Sequence, residues 1–221
     1  MEYNNIVEGV FLSRPNRFIA KVQINGKEET VHVKNTGRCK ELLVPGAKVY
    51  LARTDNPDRK TKYDLVSIYK NERLINMDSQ APNKIFGEWL SQKVDYLKPE
   101  YKYGNSRFDF YGEHNGKKFL IEVKGVTLEQ DGVVMFPDAP TERGVKHIEE
   151  LIKATKNGFE TAVVFIIQMD NVKCFKPNDN THKQFGDALR KAVLQGVKVF
   201  ALDCTVTKGR VTAKNQVEIV L

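Results

Sequence analysis

The sequence is most constrained at Asn115-Gly116, which separates two segments in which apolar and polar residues alternate. Such alternation is typical of β-strands with one buried face. Asn-Gly favours a two-residue turn because both central positions of that turn need a positive φ. We therefore predict a β-hairpin in which His114 faces Lys117, and the other facing pairs follow by counting back from the turn. On the apolar face, this register predicts the pairs Phe110–Ile121 and Phe108–Val123.

On the polar face, the same register places Asp109 opposite Glu122. Like charges that face each other destabilise a sheet, and a divalent cation would offset the repulsion. Lys124 lies on the face of Glu122, because side chains two residues apart in a strand share a face. Two carboxylates and a lysine around Mg²⁺ or Mn²⁺ suit the hydrolysis of a phosphodiester bond. The alternative is a solvated, charged sheet face, and a three-residue turn would separate the two acids.

The composition is that of a globular protein, with 41% hydrophobic and 29% charged residues among 221. The longest apolar run, residues 162–167, is too short to cross a bilayer, and the first residues lack the features of a signal peptide. Three widely spaced cysteines form no metal-binding or disulfide pattern. We therefore expect a cytoplasmic protein.

The net charge of +7 favours a polyanionic partner, although many basic proteins have none. Residues 1–80 contribute +4 (14 Lys and Arg, 10 Asp and Glu) and residues 81–221 contribute +3 (21 and 18). The excess charge is therefore spread over both halves of the chain.

Residues 1–80 contain five short strand-like segments and a short helical insert at residues 39–43. Five such strands indicate a small closed barrel, and we predict one of the oligonucleotide-binding type. That fold has many ligands, so the fold alone does not give the function. The five predicted strands are residues 7–12, 18–24, 29–33, 48–52 and 63–69.

A basic loop in this barrel has aromatic residues beside it, which is typical of binding to single strands or to the nucleic-acid backbone. The alternative is a solvated loop beside core tyrosines. The residues concerned are Arg53, Arg59, Lys60 and Lys62, with Tyr63 and Tyr69 alongside.

The hydrophobic pattern changes at residues 78–82, and we place a domain boundary there, giving domains 1–80 and 81–221. Apolar residues at helical spacing then predict a helix over residues 84–97. Glu88 lies in the first turn of that helix, where the helix dipole favours a carboxylate, so capping explains it without any catalytic role.

A second helix is predicted over residues 141–156, with Arg143 and His147 on one face. These side chains either point toward the carboxylates and contact phosphate, or form a solvated face. The β-branched run at residues 161–169 is typical of a strand buried on both faces. The remaining predictions are a tight strand pair at residues 126–129 and 133–136, a βαβ unit completed by a helix at 181–195 and a strand at 197–202, and a final pair at 206–207 and 217–221.

The order of elements resembles the PD-(D/E)xK nuclease-like fold, although Phe108 rather than proline precedes Asp109. Nearly the whole chain also resembles the sugar fermentation stimulation protein family. Lys34 and Cys39 stand where this family is expected to have proline and methionine. The matching segments are NTGR (35–38), LLVPGA (42–47), NPDRKTKYDLV (56–66), SRFDF (106–110), IEVKGVTL (121–128) and MFPDAPTERGVKHIEEL (135–151).

This resemblance implies an α/β protein, α+β overall, with an N-terminal OB-like barrel and a C-terminal nuclease-like mixed-sheet domain. It implies non-specific binding of DNA, single- or double-stranded and largely through the phosphates, in a bacterial or archaeal cytoplasm, and a link to sugar-utilisation genes. By motif, Asp109, Glu122 and Lys124 match the nuclease triad, Asp109 and Glu122 would hold Mg²⁺ or Mn²⁺, and Glu88 matches an acid that some such enzymes add. The residues expected to contact DNA are Arg38, Arg53, Arg59, Lys60, Lys62, Arg143 and His147.

Three functions remain open from the sequence. The first is a Mg²⁺-dependent DNase, and the second is a non-catalytic DNA-binding regulator of sugar-utilisation genes. The third is a binder of oligosaccharides or small metabolites through the barrel.

Overall fold

The N-terminal part of the chain is a closed five-stranded barrel. In the computed structural model, which describes residues 1–35 and 37–221, its strands are β1 (Ile6–Asn16), β2 (Ile19–Ile24), β3 (Lys27–Val33), β4 (Lys48–Arg53), β5 (Tyr63–Lys70) and β6 (Arg73–Asn76). They pair in the order β3-β2-β1-β4-β5-β6. A parallel pairing of β3 with β5 closes β1–β5 into a barrel and confirms the predicted fold, and β6 extends the sheet beside β5.

Residues 39–43 form a turn, not the helix predicted from the sequence. The N–H of Leu43 donates to the carbonyl of Cys39 over 2.9 Å, and the helical hydrogen bonding does not continue. Pro45 explains the stop, because the residue before a proline disfavours the helical conformation.

The C-terminal part has a six-stranded mixed sheet in the order β15-β14-β12-β9-β8-β7, and a smaller sheet in the order β10-β11-β13-β16. Its helices are α1 (Ala81–Leu90), α2 (Glu142–Lys156) and α3 (Asp179–Leu194). Its strands are β7 (Tyr96–Tyr103), β8 (Ser106–His114), β9 (Lys117–Val126), β10 (Leu128–Gln130), β11 (Val133–Phe136), β12 (Glu160–Ile167), β13 (Cys174–Pro177), β14 (Lys198–Val206), β15 (Val211–Gln216) and β16 (Glu218–Ile219).

The six-stranded sheet has an apolar core on each face. Helix α1 packs on one face against Ile121 and Val123, whereas α2 and α3 pack on the other face against Leu120 and Phe165. Strands β9, β12 and β14 are parallel, and β12 is buried along nearly its whole length, as the β-branched run predicts. The predicted βαβ unit and the tight pair β10–β11 are also present.

Two predicted elements are wrong in extent or pairing. Helix α1 ends at Leu90, and residues 96–103, partly assigned to that helix, form edge strand β7 with Pro99 in it. Proline is tolerated in a strand at the edge of a sheet, and Pro82 favours the earlier helix start. The predicted final pair is replaced by a β14–β15 hairpin and by a parallel pairing of β16 with β13.

A buried polar network joins the barrel to the six-stranded sheet. The Gln168 side chain donates from Nε2 to Asn76 Oδ1 over 2.8 Å and to the carbonyl of Asp78 over 3.0 Å. The Asp78 carboxylate is fully buried and pairs with Lys34 Nζ at 2.7 Å. No α-helix in the described ranges is both long and apolar enough to span a membrane.

We expect Gln168→Ala to destabilise the protein by about 2–4 kcal/mol, because it leaves two buried oxygens without their donor. Urea unfolding measures this change. The control is Gln130→Ala at an exposed position, which should change stability by less than about 0.5 kcal/mol. Equal unfolding midpoints for both variants would contradict the importance of this link.

Candidate metal and phosphodiester site

The predicted hairpin brings Asp109 to strand β9. The observed register pairs His114 with Lys117 and Phe110 with Ile121, as predicted. The ladder ends there, so Asp109 does not form the predicted backbone pair with Glu122. Instead, its Oδ2 accepts the Val123 N–H over 2.7 Å, and the side chain replaces a backbone acceptor.

The predicted apolar face of the hairpin is only half correct. Phe110 packs with Ile121 and Val123 beneath α1, but Phe108 packs in the core on the opposite face. The ring of Phe108 lies 6.1 Å from that of His147. The alternation breaks at Asp109, since the ladder with β7 is also interrupted there.

Helix α1 holds Asp109 from the other side. Asn83 lies in the first turn of α1 and donates from Nδ2 to Asp109 Oδ1 over 2.7 Å. Both oxygens of the carboxylate are therefore positioned. Sequence reasoning missed Asn83, and the signal that could have found it is its place one residue after a helix-starting proline.

Glu122 is buried on β9, and its two oxygens have different environments. Oε1 accepts from Lys124 Nζ and from His147 Nδ1, each at 2.5 Å. Arg143 Nε donates to His147 Nε2 over 3.4 Å, so Nδ1 carries the proton that His147 donates to Glu122. Oε2 is buried and has no hydrogen-bond partner among the described residues.

The two carboxyl groups have opposite pKa shifts. Burial raises the pKa of Asp109, and the charge of Glu122 raises it further. Burial also raises the pKa of Glu122, but the hydrogen bond from His147 and the charge of Lys124 outweigh it, so that this pKa is lowered overall. The site therefore favours an ionised Glu122 beside an Asp109 whose charge is disfavoured.

These residues fit a divalent cation. A buried carboxylate oxygen without a donor is costly, and a cation would satisfy it and relieve the repulsion with Asp109. Over residues 1–35 and 37–221, no three His, Cys, Asp or Glu side chains are grouped into a metal site of their own. Mg²⁺ needs fewer protein ligands: one or two carboxylates, with water and substrate phosphate as the others.

Arg143 and His147 share a face of α2, as predicted, and that face is directed at Glu122. His147 is only 6% exposed, so its observed contact is with the carboxylate. The sequence predicted that Arg143 and His147 point toward the carboxylates and contact phosphate. The structure confirms the first part, and the phosphate contact stays a prediction.

Glu88 is not brought to the site. It lies in the last turn of α1, not the first, so capping does not explain it. Its Oε2 is 2.5 Å from the amino group of Met1, and its side chain is 49% exposed. In the described part of the chain, no hydrogen bond or ion pair joins Glu88 to Asp109, Glu122 or Lys124.

The basic residues predicted in the barrel differ in their surroundings. Arg59 makes two hydrogen bonds to Asp64, of 3.0 and 2.5 Å, which supports a structural role. Arg53 is exposed, with its Nε 3.7 Å from Asp55. The other residues of the N-terminal part that were predicted to contact DNA are all exposed: Arg38, Lys60 and Lys62.

Comparisons with known proteins agree with this architecture. Residues 12–77 match the family described as SfsA N-terminal OB domain, and residues 80–210 match the Sugar fermentation stimulation protein RE domain. A sugar fermentation stimulation protein homolog from Desulfitobacterium hafniense (strain Y51) is 59% identical, over 100% of this chain and 99% of that protein. The homolog from Clostridium beijerinckii is 55% identical, over 100% of both.

A solved structure is similar over the whole chain. The structure of SfsA from Pyrococcus furiosus in complex with Ca²⁺ has a TM-score of 0.88 and is 28% identical, covering 100% of this chain and 98% of that one.

We expect Asp109→Asn to stabilise the fold at pH 7, because asparagine has no charge to bury beside Glu122. Its oxygen can still accept from the Val123 N–H, and its NH2 group can donate to Asn83 once the Asn83 amide turns over. A gain of about 2–4 °C in Tm corresponds to about 1 kcal/mol for a chain of this size. The pKa of Asp109 is raised, so the gain should be complete above that raised pKa and should shrink as the pH falls toward the usual aspartate pKa, where both side chains are neutral.

Calorimetry with EDTA present, at pH 7 and at lower pH, measures this difference. The control is Asp55→Asn at an exposed position, which should leave Tm nearly unchanged. A lower Tm for Asp109→Asn at pH 7 would show that the ionised carboxylate stabilises the fold.

Proposed function

We propose a divalent-metal-dependent phosphodiesterase activity on DNA for this chain, which belongs to the sugar fermentation stimulation protein family. The observation that carries the proposal is the buried Oε2 of Glu122, to which no group in the described ranges donates, beside the disfavoured charge of Asp109. The Pyrococcus furiosus relative in complex with Ca²⁺ supports it, because Ca²⁺ and Mg²⁺ both prefer oxygen ligands.

Asp109 and Glu122 would hold the cation, which when bound would polarise a phosphoryl oxygen and lower the pKa of a water. Lys124 would orient the attacking water or contact a non-bridging phosphate oxygen through its ammonium group. Asn83 and His147 would act as positioning residues, since each holds one carboxylate through a hydrogen bond.

A second candidate is a non-catalytic DNA-binding regulator. The observation in its favour is that Lys124 and His147 already compensate one oxygen of Glu122. In that case the site would stabilise the domain, and exposed basic side chains such as Lys60 and Lys62 would bind phosphates.

We expect Glu122→Gln and Lys124→Ala each to reduce Mg²⁺-dependent cleavage of DNA by at least about 100-fold. Plasmid and linear DNA with Mg²⁺ or Mn²⁺ provide the assay. The matched controls are Glu160→Gln and Lys198→Ala. Glu160 and Lys198 are the first residues of β12 and β14, and their charged atoms are 3.1 Å apart. Equal cleavage by Lys124→Ala and the parent protein, or none by the parent, would refute the phosphodiesterase.

Metal binding can be measured without activity. Mg²⁺ at a hundred times its dissociation constant should stabilise the parent protein by about 2.7 kcal/mol and raise its Tm. Glu122→Gln should remove most of this shift, and Glu160→Gln should keep it. A shift without cleavage would favour the non-catalytic function.

DNA affinity should fall linearly with salt on logarithmic axes, with each phosphate contact contributing about 0.9 to the slope. The double variant Lys60→Ala, Lys62→Ala should therefore lower the slope by about 2. Fluorescence anisotropy of a labelled duplex measures the slopes, with Lys198→Ala as the control. Binding that does not depend on salt would contradict phosphate-driven recognition.

A further inference from the structure

A cavity of about 320 Å³ lies where the barrel meets the six-stranded sheet. Three segments that carry the family resemblance converge on it: NTGR through Asn35 and Gly37, residues 125–128 after β9, and residues 135–141 before α2. Ser79 and Gln168 complete the lining. The proposed reaction uses none of these side chains.

The cavity and the carboxylate site share two elements. Gly125 lines the cavity and directly follows Lys124 on β9. Thr141 lines the cavity and is the N-cap of α2, the helix that carries His147. A DNA strand with one phosphate at Asp109 and Glu122 would therefore have its adjacent nucleotide next to the cavity.

The lining suits an uncharged, flat group more than a phosphate. Asp138 is the one charged side chain that lines the cavity within the described residues, and its charge repels phosphate. Four half-buried or exposed apolar side chains of the lining can contact the face of a planar ring: Leu128, Met135, Ala139 and Pro140.

Three side-chain donors of the polar lining are already used. Asn35 Nδ2 donates to the Met77 carbonyl, the Ser79 hydroxyl donates to the Lys34 carbonyl, and Gln168 Nε2 donates to Asn76. The carboxylate of Asp138 and the Oε1 of Gln168 remain as acceptors. A ligand that offers N–H groups on the edge of a flat ring matches this set, and a nucleic-acid base has such groups.

We propose that this cavity binds one unpaired base of a DNA strand whose phosphate lies at Asp109, Glu122 and Lys124. This inference rests on the proposed function and adds a substrate class, namely DNA with a single-stranded or displaced nucleotide. The volume lies at the lower end for small-ligand cavities, which suits one base and not a base pair.

Filling the cavity tests the proposal. Ala139 is half-buried on the lining, so Ala139→Tyr introduces a ring into the cavity. We expect it to weaken binding of a short single-stranded oligonucleotide about tenfold, because one stacked base contributes about that factor. Binding of an abasic oligonucleotide of equal length should change less than twofold. Anisotropy with Ca²⁺ in the buffer measures both affinities.

Two further variants make the comparison specific. Asp138→Ala at the exposed rim removes an acceptor without filling space. It should also weaken binding of the base-containing oligonucleotide but leave binding of the abasic one unchanged. Gln195→Tyr adds the same ring at an exposed position after α3, just before β14 and so at the other end of the parallel strands from the cavity, and should change neither affinity. Thermal melting confirms that each variant is folded.

The outcomes separate this inference from the proposed function. If Ala139→Tyr weakens both oligonucleotides equally, or neither, the base-binding cavity is refuted even when the parent protein cleaves DNA. If the selective tenfold loss is found but the parent protein cleaves nothing, the cavity stands and the phosphodiesterase fails. Absence of any DNA binding refutes both.

Discussion

The candidate site depends on the position of β9 between two neighbouring strands. β9 pairs antiparallel with β8 and parallel with β12, so its register is set from both sides. A slip of one residue would turn Glu122 and Lys124 to the opposite face and would move Ile121 and Val123 out of their core. The packing of the sheet and the geometry of the site are therefore one constraint.

The buried carboxylates of the site lower the free energy of unfolding of the domain. Asp109 is held by a backbone N–H and by Asn83, and one oxygen of Glu122 is held by Lys124 and His147. The other oxygen of Glu122 is buried, and nothing in the described part of the chain donates to it. Buried polar groups in folded proteins are nearly always satisfied, and exceptions occur at functional sites. The exception here lies at the proposed cation site.

The junction between the barrel and the sheet extends the site. Asn76, Asp78 and Gln168 hold the two parts together through buried hydrogen bonds. This contact places the loop after β3 beside the end of β9 and the loop before α2, which together enclose the cavity. A barrel that joined the sheet elsewhere would leave the carboxylates intact but remove the cavity.

The sequence by itself determined the elements whose signals are local: the hairpin at Asn115-Gly116, the buried strand β12, helix α2 and the closed barrel. It also predicted Asp109, Glu122 and Lys124 as one site, but from a cross-strand pair that does not form. Asp109 reaches β9 through the Val123 N–H instead. Only the tertiary structure decided that Asn83 rather than Glu88 reaches Asp109, and that His147 holds Glu122. These contacts join residues 26 and 25 positions apart on different elements, and their geometry follows from how helices pack on the sheet, which local patterning does not encode.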